Sequence, residues 1–210
     1  MRSLSEFESK QLLETYGLVA SKESIVSDID EALDVAEKIG YPVVLKISGE
    51  NTEHKSELGG VKLGLQNQSD LSIAFEELQE SNSQFFEFLV SEYIVGKREF
   101  IAGYLIDKDF GPTVMFGLGG IFAEAITDVT FRILPCDREE LTAMIHQLKS
   151  SKLLEAFRGE PEIDIEALVD VLESIATCGL SNPDVIAIDV NPIIIKNDFP
   201  IAVDALVIRS

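Results

Sequence analysis

The residues best suited to chemistry lie in a ribbon near the end of the 210-residue chain. Two β-branched runs flank a polar turn at Asn197 and Asp198, a pattern typical of a β-hairpin. Side chains alternate between the two faces of a strand, so Asp189 and Asn191 share a face. A turn centred on Asn197 and Asp198 places Asn191 opposite Asp204, with Cβ atoms roughly 4.5–5.5 Å apart. Two carboxylates and an amide oxygen then crowd one face of the ribbon.

Such a cluster of hard oxygen atoms predicts a magnesium site. Proteins hold Mg²⁺ with one or two acidic side chains, and nucleotide phosphates and water complete the coordination. For each residue alone, the simpler interpretation is an acid that faces solvent at a strand end, or an asparagine in a bulge. The coincidence of three oxygen-bearing side chains on one face favours the metal site.

A lone lysine, Lys46, lies in a short apolar strand predicted over residues 41–47. It follows four apolar residues, where an unpaired ammonium is costly to desolvate. Two interpretations stay open from the residues alone. Lys46 points into a cleft that holds an anion, or it reaches from the strand end to water along its own aliphatic stem.

The segment that follows, residues 48–60, is polar and contains His54 among several glutamates. An exposed histidine is usually inert, and a catalytic role for His54 is the less favoured alternative at this point. The segment ends in Gly59 and Gly60, which let the backbone turn sharply or approach a ligand. The other histidine, His146, lies on a predicted helix and is interpreted as a structural or surface residue.

Composition excludes several classes of partner. The chain is 46% hydrophobic, which suffices for a core, and it carries a net charge of −20. This charge makes a nucleic acid or an anionic membrane an unsuitable partner. Cys136 and Cys178 form no disulfide framework and are interpreted as reduced thiols of a cytoplasmic protein. We expect neither a signal peptide at the start nor a membrane-spanning segment.

Periodicity predicts an α+β fold, with helices towards both ends and antiparallel strands between them. Helices are predicted over residues 5–16, from 28 or 30 to 39, and over 69–80, 137–149 and 166–178, the last ended by Gly179. Strands are predicted over residues 41–47, 61–65, 85–94, 97–104, 113–116, 121–126 and 129–134, before the C-terminal hairpin. The glycine-rich residues 117–120 are expected to form a flexible loop, and they do not match the dinucleotide fingerprint.

Several segments together resemble one known family. They are SEFESK (5–10), GYPVVLK (40–46), HKSELGGVKLGL (54–65), FGPTVMFGLGGIFAE (110–124), FRI (131–133), RGEP (158–161) and DVNP (189–192). In this order they are similar to the ATP-grasp subunit of the NDP-forming acyl-CoA synthetases, in particular the β subunit of ADP-forming acetyl-CoA synthetase. The resemblance covers almost the whole chain, and succinyl-CoA synthetase β is a more distant relative.

This resemblance implies an ATP-grasp fold, in which two α+β lobes clamp a nucleotide. The whole chain, residues 1–210, would be one ATP-grasp module. Residues 18–95 would form the smaller lobe, and residues 1–17 with 96–210 the larger lobe that carries the metal-binding hairpin. The implied ligands are ATP or ADP with Mg²⁺.

The resemblance also implies roles for individual residues, first at the nucleotide. Lys46 would hold phosphates, and Gly59 and Gly60 would approach the nucleotide. The expected hinge that reads the adenine edge consists of Glu92, Tyr93 and Ile94. Glu99 would face the nucleotide.

The remaining implied roles concern the metal and phosphate transfer. Asn191 and Asp204 would bind Mg²⁺. His54, in its His-Lys-Ser loop, would be a second phosphate carrier. Asp189 would orient a phosphohistidine imidazolium by accepting its N–H.

In the resembled family the reaction is acyl-CoA + ADP + phosphate ⇌ carboxylic acid + ATP + CoA. The main phosphohistidine and the CoA site belong to an α subunit, so the chain is expected to act as one subunit of an α2β2 enzyme. Two alternatives stay open. One is a detached ATP-grasp module of a protein lysine acetyltransferase, and the other is a catalytically silent module that senses nucleotide or acyl-CoA.

Overall fold

The computed structural model describes residues 1–49, 59–82, 87–120 and 127–210. The chain divides into two compact units. The first unit comprises Met1–Leu4, Glu8–Ala20 and Ile94–Ser210, and the second unit comprises Ser5–Phe7 and Ser21–Tyr93. Their assignment as the two nucleotide-clamping lobes stays a prediction.

The described residues form the following elements. In chain order they are β1 (Arg2–Ser3), α1 (Glu6–Glu14), β2 (Glu23–Val26), α2 (Ile29–Ile39), β3 (Val43–Ser48), β4 (Val61–Leu65), α3 (Gln68–Ser81), β5 (Glu87–Glu92), β6 (Glu99–Asp107), β7 (Gly111–Leu118), β8 (Val129–Ile133), α4 (Arg138–His146), a 3₁₀ turn (Ser151–Leu153), α5 (Ile165–Ser181), β9 (Val185–Lys196), β10 (Phe199–Ala202) and β11 (Ala205–Arg209). The predicted strand over residues 121–126 lies outside the described residues.

The second unit is built on a four-stranded sheet in the order β2-β5-β3-β4, with α2 and α3 packed against it. Helix α2 begins at Asp28, whose carboxylate accepts the N–H of Glu31 at 2.9 Å, and ends at Gly40. Strand β3 lies between β5 and β4, so its residues are paired on both sides and buried. The order of apolar and polar residues predicted the two helices and strands β3, β4 and β5, but not the short strand β2.

The first unit contains a seven-stranded sheet in the order β1-β11-β9-β6-β7-β8, with β10 paired to β9. Every pairing between these named strands is antiparallel, which confirms the predicted α+β class. Helices α4 and α5 pack on the sheet. The core between them includes Phe100 and Phe116, whose rings stack with centroids 5.2 Å apart.

The C-terminal ribbon has the register that the sequence predicted. Phe199 pairs with Lys196, and Ala205 pairs with Val190, so the turn falls at Asn197 and Asp198. Asn197 has a positive φ of 63°, a conformation that asparagine tolerates better than most residues. Strand β9 is also paired with β6 on its other side. The ribbon is therefore built into the middle of the sheet.

Two glycines behave differently from the prediction. Gly117 is a buried residue of β7 rather than part of a flexible loop. A Cβ at this position would lie 2.6 Å from the side chain of Val129, so the absence of a side chain permits this packing. Gly179 lies inside α5 rather than at its end. A Cβ at Gly179 would lie 2.5 Å from the ring of Tyr104, so the missing side chain lets helix and sheet approach each other. Packing thus overrides the tendency of glycine to end elements.

The remaining sequence predictions concern the surface and the thiols. His146 is exposed at the end of α4, as expected. Cys136 and Cys178 are both free thiols. Burial raises the pKa of the Cys178 thiol to about 11, so the reactive thiolate is scarce at neutral pH.

No helix in the part of the chain that the structure describes has the length and apolar character needed to cross a bilayer.

The contact between Gly179 and Tyr104 gives a first testable prediction. Alanine normally stabilises a helix interior by about 1 kcal/mol relative to glycine. We expect Gly179→Ala to do the opposite, because overpacking against Tyr104 typically costs about 1–3 kcal/mol. Urea unfolding of wild type and variant measures this difference. Thr177→Ala, at an exposed position of the same helix, is the control and should not destabilise the chain. A gain in stability from Gly179→Ala would contradict the packing described.

Candidate functional site

The polar face of β9 is the first part of the candidate site. Asp189 and Asn191 are exposed, whereas their neighbours Ile188 and Val190 are buried in the core of the first unit. Alternation along β9 therefore has two effects. The buried apolar side chains fix the strand in the core, and the oxygen-bearing side chains stay accessible on the other face.

Asn191 and Asp204 lie opposite each other, as the register predicted. The backbone N–H of Asn191 donates to the carbonyl oxygen of Asp204 at 3.1 Å, and the N–H of Val203 donates to the carbonyl of Pro192 at 3.0 Å. These two backbone hydrogen bonds pair the strands at this point. The pairing places the side chains of Asn191 and Asp204 on the same face of the ribbon. Sequence reasoning brought this pair together before the fold was known.

The two carboxylates of this face interact with each other. Desolvation, with a further contribution from the negative charge of Asp204, raises the pKa of Asp189 above its usual range. Asp189 keeps contact with solvent, so its raised pKa reflects crowding by protein atoms rather than full enclosure. A divalent cation or a cationic imidazolium near this face would relieve the repulsion.

The donor set fits Mg²⁺ bound together with phosphate. In the described part of the chain, no three His, Cys, Asp or Glu side chains group into a metal cage. Asn191 and Asp204 would supply an amide and a carboxylate oxygen, and Mg²⁺ sites commonly use one or two carboxylates with substrate phosphates and water. The arrangement is therefore suited to a metal that arrives with a nucleotide.

Glu99 lies at the start of β6, next to a pair of glycines. The N–H of Gly119 donates to the carbonyl of Glu99 at 2.8 Å. A Cβ at Gly119 would lie 2.9 Å from the backbone of Phe100, and one at Gly120 would lie 3.2 Å from a carboxylate oxygen of Glu99. The two glycines thus allow the chain to pass closely over Glu99. The sequence prediction for these glycines was only a loop, although two glycines directly after a strand could have indicated this close backbone approach.

Arg98 anchors the turn of the C-terminal ribbon. It is buried, and its guanidinium donates to three backbone carbonyls, those of Leu153 at 3.2 Å, Glu155 at 3.4 Å and Asn197 at 3.2 Å. The next residue back, Lys97, forms an ion pair with Glu160 of the RGEP segment at 2.6 Å. No sequence pattern indicates the role of Arg98, since its three acceptors are backbone atoms.

Lys46 is buried in the middle of the sheet of the second unit. Its side-chain nitrogen donates to Oε1 of Glu6 at 2.6 Å, and both side chains are only 5% exposed. The side chain of Lys46 is therefore shielded from solvent except for a small accessible part, and an anion does lie beside it. This anion is a protein carboxylate, which sequence analysis did not identify. Nothing in the spacing of the two residues, 40 positions apart, connects them.

The other predicted nucleotide contacts lie at strand ends. Gly59 has a positive φ of 67°, which suits glycine, and the carbonyl of Gly60 accepts the N–H of Ile47 at 2.9 Å. In the predicted hinge, the N–H of Glu92 donates to Lys22 and that of Tyr93 donates to Pro42, both to backbone carbonyls. The division between the two units falls between Tyr93 and Ile94. His54 lies outside the described residues.

Comparison with known proteins identifies the family. A model of the ATP-grasp domain matches residues 1–208 of the chain. The chain belongs to the ATP-grasp family. The ATP-grasp fold predicted from the sequence is thereby confirmed.

ATP-grasp relatives of known activity cover nearly the whole chain. The β subunit of acetate–CoA ligase [ADP-forming] I from Pyrococcus furiosus is 37% identical over 99% of this chain and 92% of its own length. The acetate–CoA ligase [ADP-forming] I of Archaeoglobus fulgidus is 38% identical over 89% of this chain, but the match covers only 28% of that longer protein. The same type of module therefore occurs both as a separate subunit and within a larger chain.

Solved structures of one ATP-grasp enzyme are also similar. They belong to the dinucleotide forming acetyl-coenzyme A synthetase 1 of Ca. Korarchaeum cryptofilum. Its complex with coenzyme A, Ca-AMPCP and HgCl⁺ has a TM-score of 0.94 and 37% identity, over all of this chain and 94% of that chain. Its complex with coenzyme A and Mg-AMPPCP has a TM-score of 0.87 and 38% identity over 100% and 93%, and its phosphohistidine segment points towards the nucleotide binding site.

The raised pKa of Asp189, caused first by desolvation and then by the charge of Asp204, gives a pH prediction. The ordinary pKa of Asp189 is 3.8, and the folded chain raises it, so ionising this group is less favourable in the folded than in the unfolded state. Stability is therefore lost as the pH rises from the unfolded pKa through the folded pKa. We expect Asp189→Asn to be more stable than wild type at neutral pH, with a gain that shrinks as the pH falls towards about 4.

Urea unfolding at several pH values measures this dependence. Asp198→Asn, at an exposed position in the adjoining turn, makes the same change of charge without a neighbouring carboxylate of the cluster and should show a smaller gain. A gain from Asp189→Asn that is equal at all pH values, or absent at neutral pH, would refute the raised pKa of Asp189.

Proposed function

We propose that this chain is the nucleotide-binding β subunit of an ADP-forming acetyl-CoA synthetase. Its match to a separate β subunit along 92% of that protein, at 37% identity, is the observation that carries the proposal. The enzyme would couple acyl-CoA cleavage to ATP formation, and this subunit would transfer phosphate between a phosphohistidine and Mg-ADP.

This function is better supported than the two alternatives. A detached module of an acetyltransferase would not account for the end-to-end match to a stand-alone ligase subunit. A silent sensor needs no phosphate carrier and no pair of neighbouring carboxylates, yet Asp189 lies near Asp204, whose negative charge contributes to the raised pKa of Asp189. A cation bound at this face would offset the cost of ionising Asp189.

In the proposed site, Asn191 and Asp204 hold the metal. When bound, Mg²⁺ would bridge phosphate oxygens and stabilise the charge that develops on the transferring phosphoryl group. The hairpin register supports this assignment, because it directs both side chains to one face without help from a ligand.

Asp189 would orient the phosphohistidine. It lies two residues from Asn191 on the same exposed face, and its carboxylate would accept the N–H of the imidazolium. The neighbouring charge of Asp204, which disfavours a second negative charge, favours a cationic ring at this place. A carboxylate that accepts from a catalytic histidine fixes its tautomer and its orientation.

The remaining predicted residues would bind the nucleotide. Lys46 would contact its phosphates, and Gly59 and Gly60 would let the backbone approach them. Backbone groups of Glu92, Tyr93 and Ile94 would read the adenine edge. Glu99, covered closely by Gly119 and Gly120, would face the nucleotide.

The proposed enzyme needs a second subunit. Relatives that are β subunits imply a separate α-type partner, which would carry the CoA site and the main phosphohistidine. We further propose an α2β2 assembly and a cytoplasmic location, the latter in keeping with two free thiols.

Thermal unfolding with Mg-ADP or Mg-ATP tests the metal site. Nucleotide at about 1,000 times its Kd should stabilise the wild-type chain by roughly 4 kcal/mol, and less without Mg²⁺. We expect Asn191→Ala to remove most of this Mg²⁺ dependence. Gln11→Ala, on an exposed part of α1, deletes an amide elsewhere and should behave as wild type.

Absence of any shift in wild type, with the α subunit present as well as absent, would refute nucleotide binding. A shift that depends on Mg²⁺ equally in Asn191→Ala and wild type would refute the assignment of Asn191 as a ligand.

Phosphate transfer tests the proposed carrier role of His54. In the complex with the α subunit, we expect His54→Gln to abolish transfer of phosphate from labelled ATP to the α-subunit histidine, because glutamine cannot be phosphorylated at nitrogen in this way. His146→Gln removes the only other histidine, which is exposed on α4, and should leave transfer unchanged. Transfer and turnover that survive His54→Gln would exclude the carrier role.

A further inference from the structure

The ion pair between Glu6 and Lys46 is an unusual feature of the second unit. The two side chains are each 5% exposed, and the nitrogen and oxygen atoms lie 2.6 Å apart. Buried charges are tolerated in proteins when they are paired and hydrogen-bonded, because an isolated charge is expensive to desolvate. The pair therefore requires a reason beyond stability, since apolar residues of similar size would usually serve a core as well.

Both partners are held by secondary structure. Lys46 lies in β3, where its Cα pairs with Val61 of β4 on one side and Leu89 of β5 on the other. Glu6 is the first residue of α1, and the N-terminal end of a helix interacts favourably with a carboxylate. The backbone of Lys46 is thus held by a central strand, and its side-chain ammonium is held by a carboxylate at the start of a helix.

We propose that Glu6 is a positioning residue that holds the ammonium of Lys46 in place for the nucleotide phosphates. The inference rests on the proposed function, which assigns Lys46 to those phosphates. A lysine side chain is long and flexible, so it loses rotamer freedom when a ligand fixes it. In this protein the carboxylate of Glu6 already contacts the ammonium in the folded chain. An ammonium has three N–H donors, so contact with a carboxylate is compatible with donation to phosphate oxygens.

The opposite role makes the opposite prediction. If Glu6 competed with phosphate for the ammonium, removal of its charge would strengthen nucleotide binding. If Glu6 positions the ammonium, removal of its charge weakens binding. The direction of the change in Kd therefore separates the two roles.

Calorimetric titration with Mg-ADP provides the measurement, on the chain alone or with its α partner. We expect Glu6→Gln, which keeps the shape and removes the charge, to raise the Kd about tenfold, the usual effect of losing one charge-assisted hydrogen bond. Glu14→Gln, at an exposed position of the same helix, is the matched control and should leave the Kd unchanged.

A double-mutant cycle tests whether Glu6 acts through Lys46. We expect Lys46→Gln to weaken binding at least as much as Glu6→Gln does. Adding Glu6→Gln to Lys46→Gln should cause no further loss, because the group that Glu6 positions is already gone. A further tenfold loss in the double variant would show an independent, purely structural effect and would overturn the inference. An unchanged or lower Kd in Glu6→Gln would overturn it as well.

A second variant covers the case in which Glu6→Gln does not fold. Glu6→Asp keeps the charge but withdraws it by one methylene, so we expect a smaller rise in Kd that disappears in the Lys46→Gln background. A Kd equal to wild type would then overturn the inference.

Failure of the proposed function is distinguishable from failure of this inference, because in that case wild type itself shows no Mg-ADP binding. If wild type binds but Lys46→Gln binds equally well, the phosphate role of Lys46 is wrong and the positioning role falls with it.

Discussion

The pairing of β9 with its neighbours on both sides is the constraint on which the candidate site depends. This strand pairs with β6 on one side and with β10 and β11 on the other. Ile188 and Val190 are buried against the helices, and a shift of one residue would expose them and bury the acids. The energy that fixes the register is therefore hydrophobic, whereas the groups that the register presents are polar. Folding and site geometry have the same cause.

Much of this arrangement could be predicted from the sequence, because local signals determine it. The alternation of apolar and polar residues predicted β9, and the polar turn at Asn197 predicted that Asn191 faces Asp204. The helix capped by Asp28 was also predicted, with Asp28 or Asp30 as its start, since a capping side chain and an amphipathic run are both local features. Resemblance to a family added the order of the segments, which the comparisons then supported.

The features that could not be predicted depend on contacts between distant residues. Glu6 and Lys46 are 40 positions apart, and no periodicity links a helix start to the middle of a strand. Arg98 binds backbone carbonyls, which every residue possesses, so its partners leave no trace in the sequence. Gly179 was misjudged because glycine usually ends a helix, whereas in this protein it admits the ring of Tyr104. Local propensity cannot reveal such tertiary reasons.

The close approaches at glycine have a consequence for the evolution of such proteins. Gly117, Gly119 and Gly179 each lie where a methyl group would overlap a neighbour, so packing alone would preserve them, even in a descendant without activity. The presence of glycine at these positions would thus be no sign of a working enzyme. Asp189 and Asn191 are exposed and contribute nothing to the core, so packing would not maintain them, whereas the chemistry proposed for them would. Those two positions, rather than the glycines, would distinguish an active lineage from a decayed one.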